Sequence, residues 1–321
     1  MTEYIPHHTW GELEPLTRID VTNVPIPVYH PEEWPGASTV YESFYKESGC
    51  FIVKSAYKSE LMDQFNTWCS SVLREAAEDP NSRHPIQHGK LLINNLLSRL
   101  SRDDPDLFME IYTNSTLTTV MDILLGFGCF GSATAHWIEP GGERQAPHVD
   151  YPVHLASAPF WGKNLDKFKR LVTRYHTNSV LPYHSVQILV ASDSMDIRNG
   201  STEVVPGSHL IPDIDVHIQD DGVKRLFEPQ FRSVTLDKGD ILVFNRRLVH
   251  RGGYNASNSR RNSLILQCVH LWSIPQELHP YEEIECRIKE TSLYKQMSQA
   301  EREELLLRVH QPYPRNITKS T

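Results

Sequence analysis

Between Ala133 and His270 the chain breaks into short runs rich in β-branched and aromatic residues, separated by Gly, Pro, Asn and Asp, and few folds accept that pattern. The runs are 134–138, 185–190, 202–205, 231–236, 241–244 and 263–269. Short strands with this punctuation predict two sheets closing on each other. The expected fold class is mainly β with flanking helices, on a double-stranded β-helix (jelly-roll or cupin-like) core.

Helices are expected on either side of that core. From Ser59, the residues Leu61, Met62, Phe65, Trp68, Cys69, Val72 and Leu73 recur at three- and four-residue spacing, which makes one apolar helix face ending before Asp79-Pro80. A second helical stretch runs from Pro105 through Phe108 and Tyr112 to Leu125, and a last one from about Gln299 to Val309 opens on a Ser298-x-x-Glu301 capping box. Residues 1–40 are rich in Pro, His and Glu without a period and read as an extended arm wrapped over the domain or as a partly disordered one. The segment 159–182, with Phe160, Trp161, Arg174 and His176, interrupts the strand rhythm as a basic, partly helical insertion near the barrel mouth. The expected organisation is one domain over 1–321: arm 1–40, helical buttress 41–130, jelly-roll core 131–272 and C-terminal helical segment 273–321.

Composition removes several function classes. With 40 acidic against 32 basic residues and a formal charge of −8, no global field favours nucleic acid or an anionic membrane surface. Five cysteines are scattered with no C-x-x-C pair, which argues against a disulfide framework or a thiolate zinc site and for a reducing, cytoplasmic compartment. Met1 to His8 has no basic start followed by an apolar stretch, and no segment approaches about 18 uninterrupted apolar residues, so neither secretion nor membrane spanning is expected.

The chemistry concentrates in Gln145-Ala-Pro-His148-Val-Asp150. An imidazole and a carboxylate two residues apart project from one face of an extended strand, so one strand offers two metal ligands. His250 follows the β-rich stretch 239–244, and barrel closure can bring it to the same point. Two imidazoles and one carboxylate form the facial triad associated with non-haem Fe(II), which leaves positions open for a co-substrate and oxygen. An H-x-D triplet alone occurs by chance, and most of the 16 histidines are expected to be ordinary polar residues. Beyond His250, Arg260-Arg261 opens the next apolar strand, and an inward arginine there suits a dicarboxylate through its planar donor fork.

The chain here resembles the phytanoyl-CoA dioxygenase-like branch of the Fe(II)/2-oxoglutarate oxygenases. The likeness rests on an ordered set over about residues 131–270: His148-x-Asp150, the run 185–191, Asn199-Gly200 leading to Val205-Pro-Gly-Ser-His209, Gly239-Asp240, His250 and Arg261. The resemblance implies that His148, Asp150 and His250 hold Fe(II), while Arg261 pairs with the distal carboxylate of 2-oxoglutarate and O2 is the second co-substrate. Arg260 competes for that role, since strand alternation turns only one of the pair inward. Gln145 is similar to a glutamine that contacts 2-oxoglutarate in some relatives, and Gln187 is a further candidate. His209 reads as part of an architectural turn rather than a ligand.

The substrate expected is a small anionic, carboxylate-bearing organic molecule, oxidised by hydroxylation, desaturation or ring closure in specialised metabolism. Tyr151, His154, Trp161, Arg174 and Arg247 are candidate substrate-binding residues, with Arg246 and Arg251 also flanking His250. Two rival readings are an inactive jelly-roll ligand-binding protein and a cupin-type metal oxygenase that does not use 2-oxoglutarate.

Overall fold

The computed structural model describes residues 21, 23–78, 86, 87, 89–150, 185–211, 214, 218, 220–270 and 281–309. Among them the strands are β1 (Val28–Tyr29), β2 (Cys50–Val53), β3 (Ile86–Gln87), β4 (Lys90–Ile93), β5 (Gly128–Ile138), β6 (Ser185–Val190), β7 (Thr202–Val204), β8 (Arg232–Ser233), β9 (Ile241–Asn245), β10 (His250–Gly252) and β11 (Arg261–His270). They form an eight-stranded sheet in the order β1-β2-β9-β6-β11-β5-β4-β3 and a three-stranded sheet in the order β10-β7-β8.

Alternation along the large sheet separates two kinds of side chain. One face carries Ile188, Val190, Val243, Leu264, Leu266, Ala133, Ala135 and Trp137, which merge with the helices in one buried apolar cluster. The other face carries Cys50, Ile52, Leu189, Leu242 and Phe244, packed against Val204, Val234, Leu236 and Leu248 around the small sheet. Cross-strand register adds Lys90, His136, Ser263 and Arg261, and further along Gln187, Gln267 and Ser132, to this inner face. A third cluster lies behind the small sheet, where Val205 and Val249 meet Val223 and Phe227.

The helix from Ser59 spans Ser59–Glu78, and its apolar residues from Leu61 to Val72 are buried as the spacing predicts. The stretch expected from Pro105 to Leu125 is two helices, Pro105–Tyr112 and Ser115–Leu125. Asn114 breaks it: its Oδ1 accepts from Leu117 N at 3.0 Å, capping the second helix, and its Nδ2 donates to the Ala56 carbonyl at 2.8 Å. At Gln299–Val309 the capping box is reciprocal, with Ser298 N donating to Glu301 Oε2 at 2.7 Å and Glu301 N donating to Ser298 Oγ at 3.3 Å.

Strands also come from outside the stretch expected to form the core. β2 pairs with β9 and β4 with β5, so the region expected as a helical buttress covers both edges of the central strands. Within the expected arm, β1 pairs in parallel with β2, and a helix starts at Ala37. Conversely, the run 231–236 contributes only the two residues of β8 and a bridge from Leu236 to Met195. These strands are too short to show a period, and cross-strand pairing rather than local pattern selects them. The insertion at 159–182 lies outside the described residues. Among the described residues, no helix is long and apolar enough to cross a membrane.

Candidate active site

The small sheet gains a further extended segment at its edge. His148 and His250 exchange backbone hydrogen bonds at 3.0 Å, Gln145 N donates to Gly252 O at 2.9 Å, and Asp150 N donates to Arg246 O at 2.8 Å. In this extended backbone His148 and Asp150 share one face, while Val149 between them packs into the apolar cluster behind the small sheet. Val249, beside His250, is buried in the same cluster. The intervening valines thus hold the ligand-bearing segments from behind.

Ligand atoms of His148, Asp150 and His250 all lie within 4.8 Å of one another. His250 Nε2 stands 3.6 Å from Asp150 Oδ2, and His148 Nε2 is 3.9 Å from Asp150 Oδ1. Each ring is held from its far side: His148 Nδ1 lies 2.9 Å from Ala146 O and His250 Nδ1 lies 2.9 Å from Leu248 O. A carbonyl only accepts, so both Nδ1 atoms carry the proton and both Nε2 lone pairs face the shared centre. The Phe244 ring packs 4.9 Å from that of His250.

Burial pushes His250 down to about 4, which keeps it in the neutral form that ligates. For Asp150, burial opposes ionisation, but His250, Arg246, His148 and His136 outweigh it and hold the carboxyl below its ordinary value. Two imidazole nitrogens and an ionised carboxylate, turned to one side of a common point, fit a ferrous ion with open coordination positions.

A cavity of about 550 Å³ adjoins this cluster, lined in part by Lys90, His136, Arg144, Gln145, His148 and Lys224. Burial, then the charge of Arg261, pushes Lys90 down to about 8, and burial brings Arg261 to about 10. Arg261 is buried; its Nη1 donates to Ser263 Oγ at 3.0 Å and its Nη2 to the Gly200 carbonyl, while its Nε has no acceptor among the described residues. Arg260 turns outward instead, with Nη2 2.7 Å from Glu139 Oε1 and its guanidinium 4.4 Å from the centroid of Trp137. Gln145 Oε1 accepts from Gly252 N at 2.7 Å, and a side chain at Gly252 would lie within 3 Å of both Lys90 Nζ and Gln145 Oε1. Glycine there lets the lysine and the glutamine pack against the strand that carries His250.

The sequence profile of the phytanoyl-CoA dioxygenase (PhyH) family matches residues 45–263, more than half of the chain. The chain belongs to this family. Among relatives, dioxygenase lolE1 of Epichloe uncinata is 30% identical over 128 residues, 39% of this chain and 40% of that protein. Dioxygenase aneA of Aspergillus aculeatus is 25% identical over 255 residues, 74% of this chain and 75% of that protein. Among solved structures, the non-heme alpha ketoglutarate dependent carbocyclase SnoK from nogalamycin biosynthesis shares the fold with a TM-score of 0.53 at 17% identity, over 75% of this chain and 85% of that one.

The family member's other candidate residues are dispersed. Gln187 is opposite Gln267, well along β11 from Arg261, and its Oε1 is buried without a partner among the described residues. Arg247 donates to Ile211 O at 3.2 Å, away from the ligand cluster. Arg251 joins Glu203 at 2.6 Å and Glu228 at 2.7 Å, bracing β10 against β7. His209 is fully buried against Gly49, with Nε2 3.3 Å from Tyr45 O, in the architectural turn expected of it. Tyr151, His154, Trp161 and Arg174 lie outside the described residues. Two cavity groups, Lys90 and His136, carry no motif, although a lysine opening the apolar run Lys90-Leu-Leu-Ile93 was a usable sign.

Proposed function

We propose that His148, Asp150 and His250 hold Fe(II), and that Arg261 and Lys90 receive the distal carboxylate of 2-oxoglutarate, in an oxygenase acting on an unactivated C–H bond of a small carboxylate-bearing substrate. That the chain is an iron- and 2-oxoglutarate-dependent dioxygenase follows from its family. The single observation that carries the ligand assignment is the convergence of three ligand atoms within 4.8 Å, with both imidazole protons tied to backbone carbonyls on the far side.

Bound iron, with 2-oxoglutarate and O2, supplies the oxidising power; the protein supplies binding and orientation. His148 and His250 present fixed lone pairs, so no tautomer change accompanies metal binding. Lys90 and Arg261 are two buried cations whose ionised forms burial disfavours, and a carboxylate between them relieves both penalties through charge-assisted hydrogen bonds. Gln145 and Gly252 form the wall against which Lys90 rests. Similarity to a carbocyclase from nogalamycin biosynthesis and to fungal dioxygenases supports tailoring in specialised metabolism, including ring closure as well as hydroxylation or desaturation.

The test is conversion of 2-oxoglutarate to succinate by the purified protein with ferrous iron in air, across a broad substrate panel. Iron-dependent turnover that rises with one substrate class supports the reading. Bound iron with no turnover on any of them would return the chain to the ligand-binding jelly roll.

A further inference from the structure

Arg246 follows β9 and is 3% exposed, yet its guanidinium is poorly satisfied. Its Nη2 donates to the Asp150 carbonyl at a long 3.3 Å, while Nε and Nη1 meet no acceptor among the described residues. Burial of a charged donor without partners is expensive, and a native structure that keeps such a group needs a reason for it, of which completion by a ligand is one. Arg246 is also electrostatically coupled to two of the three proposed iron ligands, Asp150 and His250.

The 2-oxoglutarate end of the site does not account for this residue. Asn245, next to Arg246, is in the cross-strand row of Val186 and Cys268, and Cys268 is roughly 23 Å of strand from Arg261. The distal carboxylate held at Arg261 and Lys90 is therefore not the group that Arg246 meets. Charge points the same way. Asp150 is coupled to Arg246, whereas Lys90 is coupled to Arg261 and Arg261 to Asp193. Ferrous iron would draw on the Asp150 carboxylate and the distal carboxylate of 2-oxoglutarate falls to Lys90 and Arg261, so no anion among the described residues is left to Arg246.

We propose that Arg246 is the anchor for a carboxylate on the primary substrate, set on the opposite side of Asp150 from the 2-oxoglutarate anchors. This deepens the reading above and rests on it. The unpartnered Nε and Nη1 supply the donors, beside Asp150 and next to the strand whose Phe244 ring packs on His250. Arg247 does not share the role, because its Nη2 is committed to Ile211.

The experiment uses full-length protein loaded with Mn(II) and saturating 2-oxoglutarate under nitrogen, so that binding is read without turnover. Calorimetric titration compares matched acids and primary amides: hexanoate with hexanamide, 3-phenylpropionate with 3-phenylpropanamide, and cyclohexanecarboxylate with its amide. At least one acid should bind about tenfold or more tightly than its amide. Arg246→Gln should erase that preference and Arg246→Lys should retain part of it, with Mn(II) and 2-oxoglutarate affinities unchanged in both. The ligand-free Arg246→Gln protein should melt no lower than wild type, since an unpartnered buried charge has been removed. Absence of acid preference in every pair, or its survival in Arg246→Gln, overturns the anchor. Loss of Mn(II) or 2-oxoglutarate affinity in the variants also overturns it, making Arg246 a support for Asp150. Failure of wild-type protein to bind 2-oxoglutarate with Mn(II) would instead sink the underlying assignment.

Discussion

The two faces of the eight-stranded sheet are made by the same strands and do opposite work. Toward the helices, β5 presents Ala133, Ala135 and Trp137 and β11 presents Leu264, Leu266 and Cys268, all buried in one apolar cluster. Toward the small sheet, β5 presents His136 and β11 presents Arg261, Ser263 and Gln267 in the intervening positions. A two-residue period therefore lets one strand stabilise the fold through one set of side chains and serve the site through the other. Changes on the outer face should move stability, and changes on the inner face should move ligand binding.

Replacing His250 by Ala should break the contrast hardest. Iron-dependent succinate formation should fall by a factor of about a thousand or more, while the melting temperature stays near wild type. Retained activity would remove His250 from the ligand set. On the other face, Leu266→Ala should lower unfolding free energy by about 2–5 kcal/mol in a urea titration. In folded protein the KM for 2-oxoglutarate should stay unchanged, and a shift in that KM instead would show that the faces are not independent.

His209 tests the same separation by pH, since it is buried away from the ligand cluster and burial pushes it down to about 4. Between about 4 and about 6.5 the unfolded chain binds a proton that the native state refuses, so stability should be complete above that window and decline as pH falls through it. Across that window wild type should lose on the order of 3 kcal/mol more than His209→Gln, in which the other buried histidines still titrate, as measured by urea unfolding at stepped pH. Equal pH slopes for the two proteins would place the proton elsewhere. The smallest effect is expected from Arg261→Lys, which keeps the charge but loses the planar fork. The KM for 2-oxoglutarate should rise about tenfold with kcat less affected. An unaltered KM would exclude Arg261 as the anchor.

Legibility in the sequence followed the range of the interactions. The helix at Ser59–Glu78 and the capping box at Ser298 depend on neighbours within a few residues, and both were readable. The break at Asn114 is also local, but both flanks are apolar enough to mask it. β2 and β4 were not legible, because their strand character comes from pairing with β9 and β5. In the site, Lys90 and His136 escaped attention for the same reason: each is ordinary in its own segment and gains meaning from what the fold sets opposite it, while Arg246 stood out only as one of several arginines flanking His250.

The spacing of His148 and Asp150 by itself determined that two ligands would share a face of any extended strand, because that alternation is a property of the backbone. The ordered motifs likewise determined the family and the jelly-roll class. Only the tertiary structure decided that His250 meets them, that Arg261 rather than Arg260 turns inward, and that Arg246 rather than Arg247 stands beside Asp150. Local chemistry does not distinguish adjacent arginines; the absolute register of the strand and the partner packed against each side do.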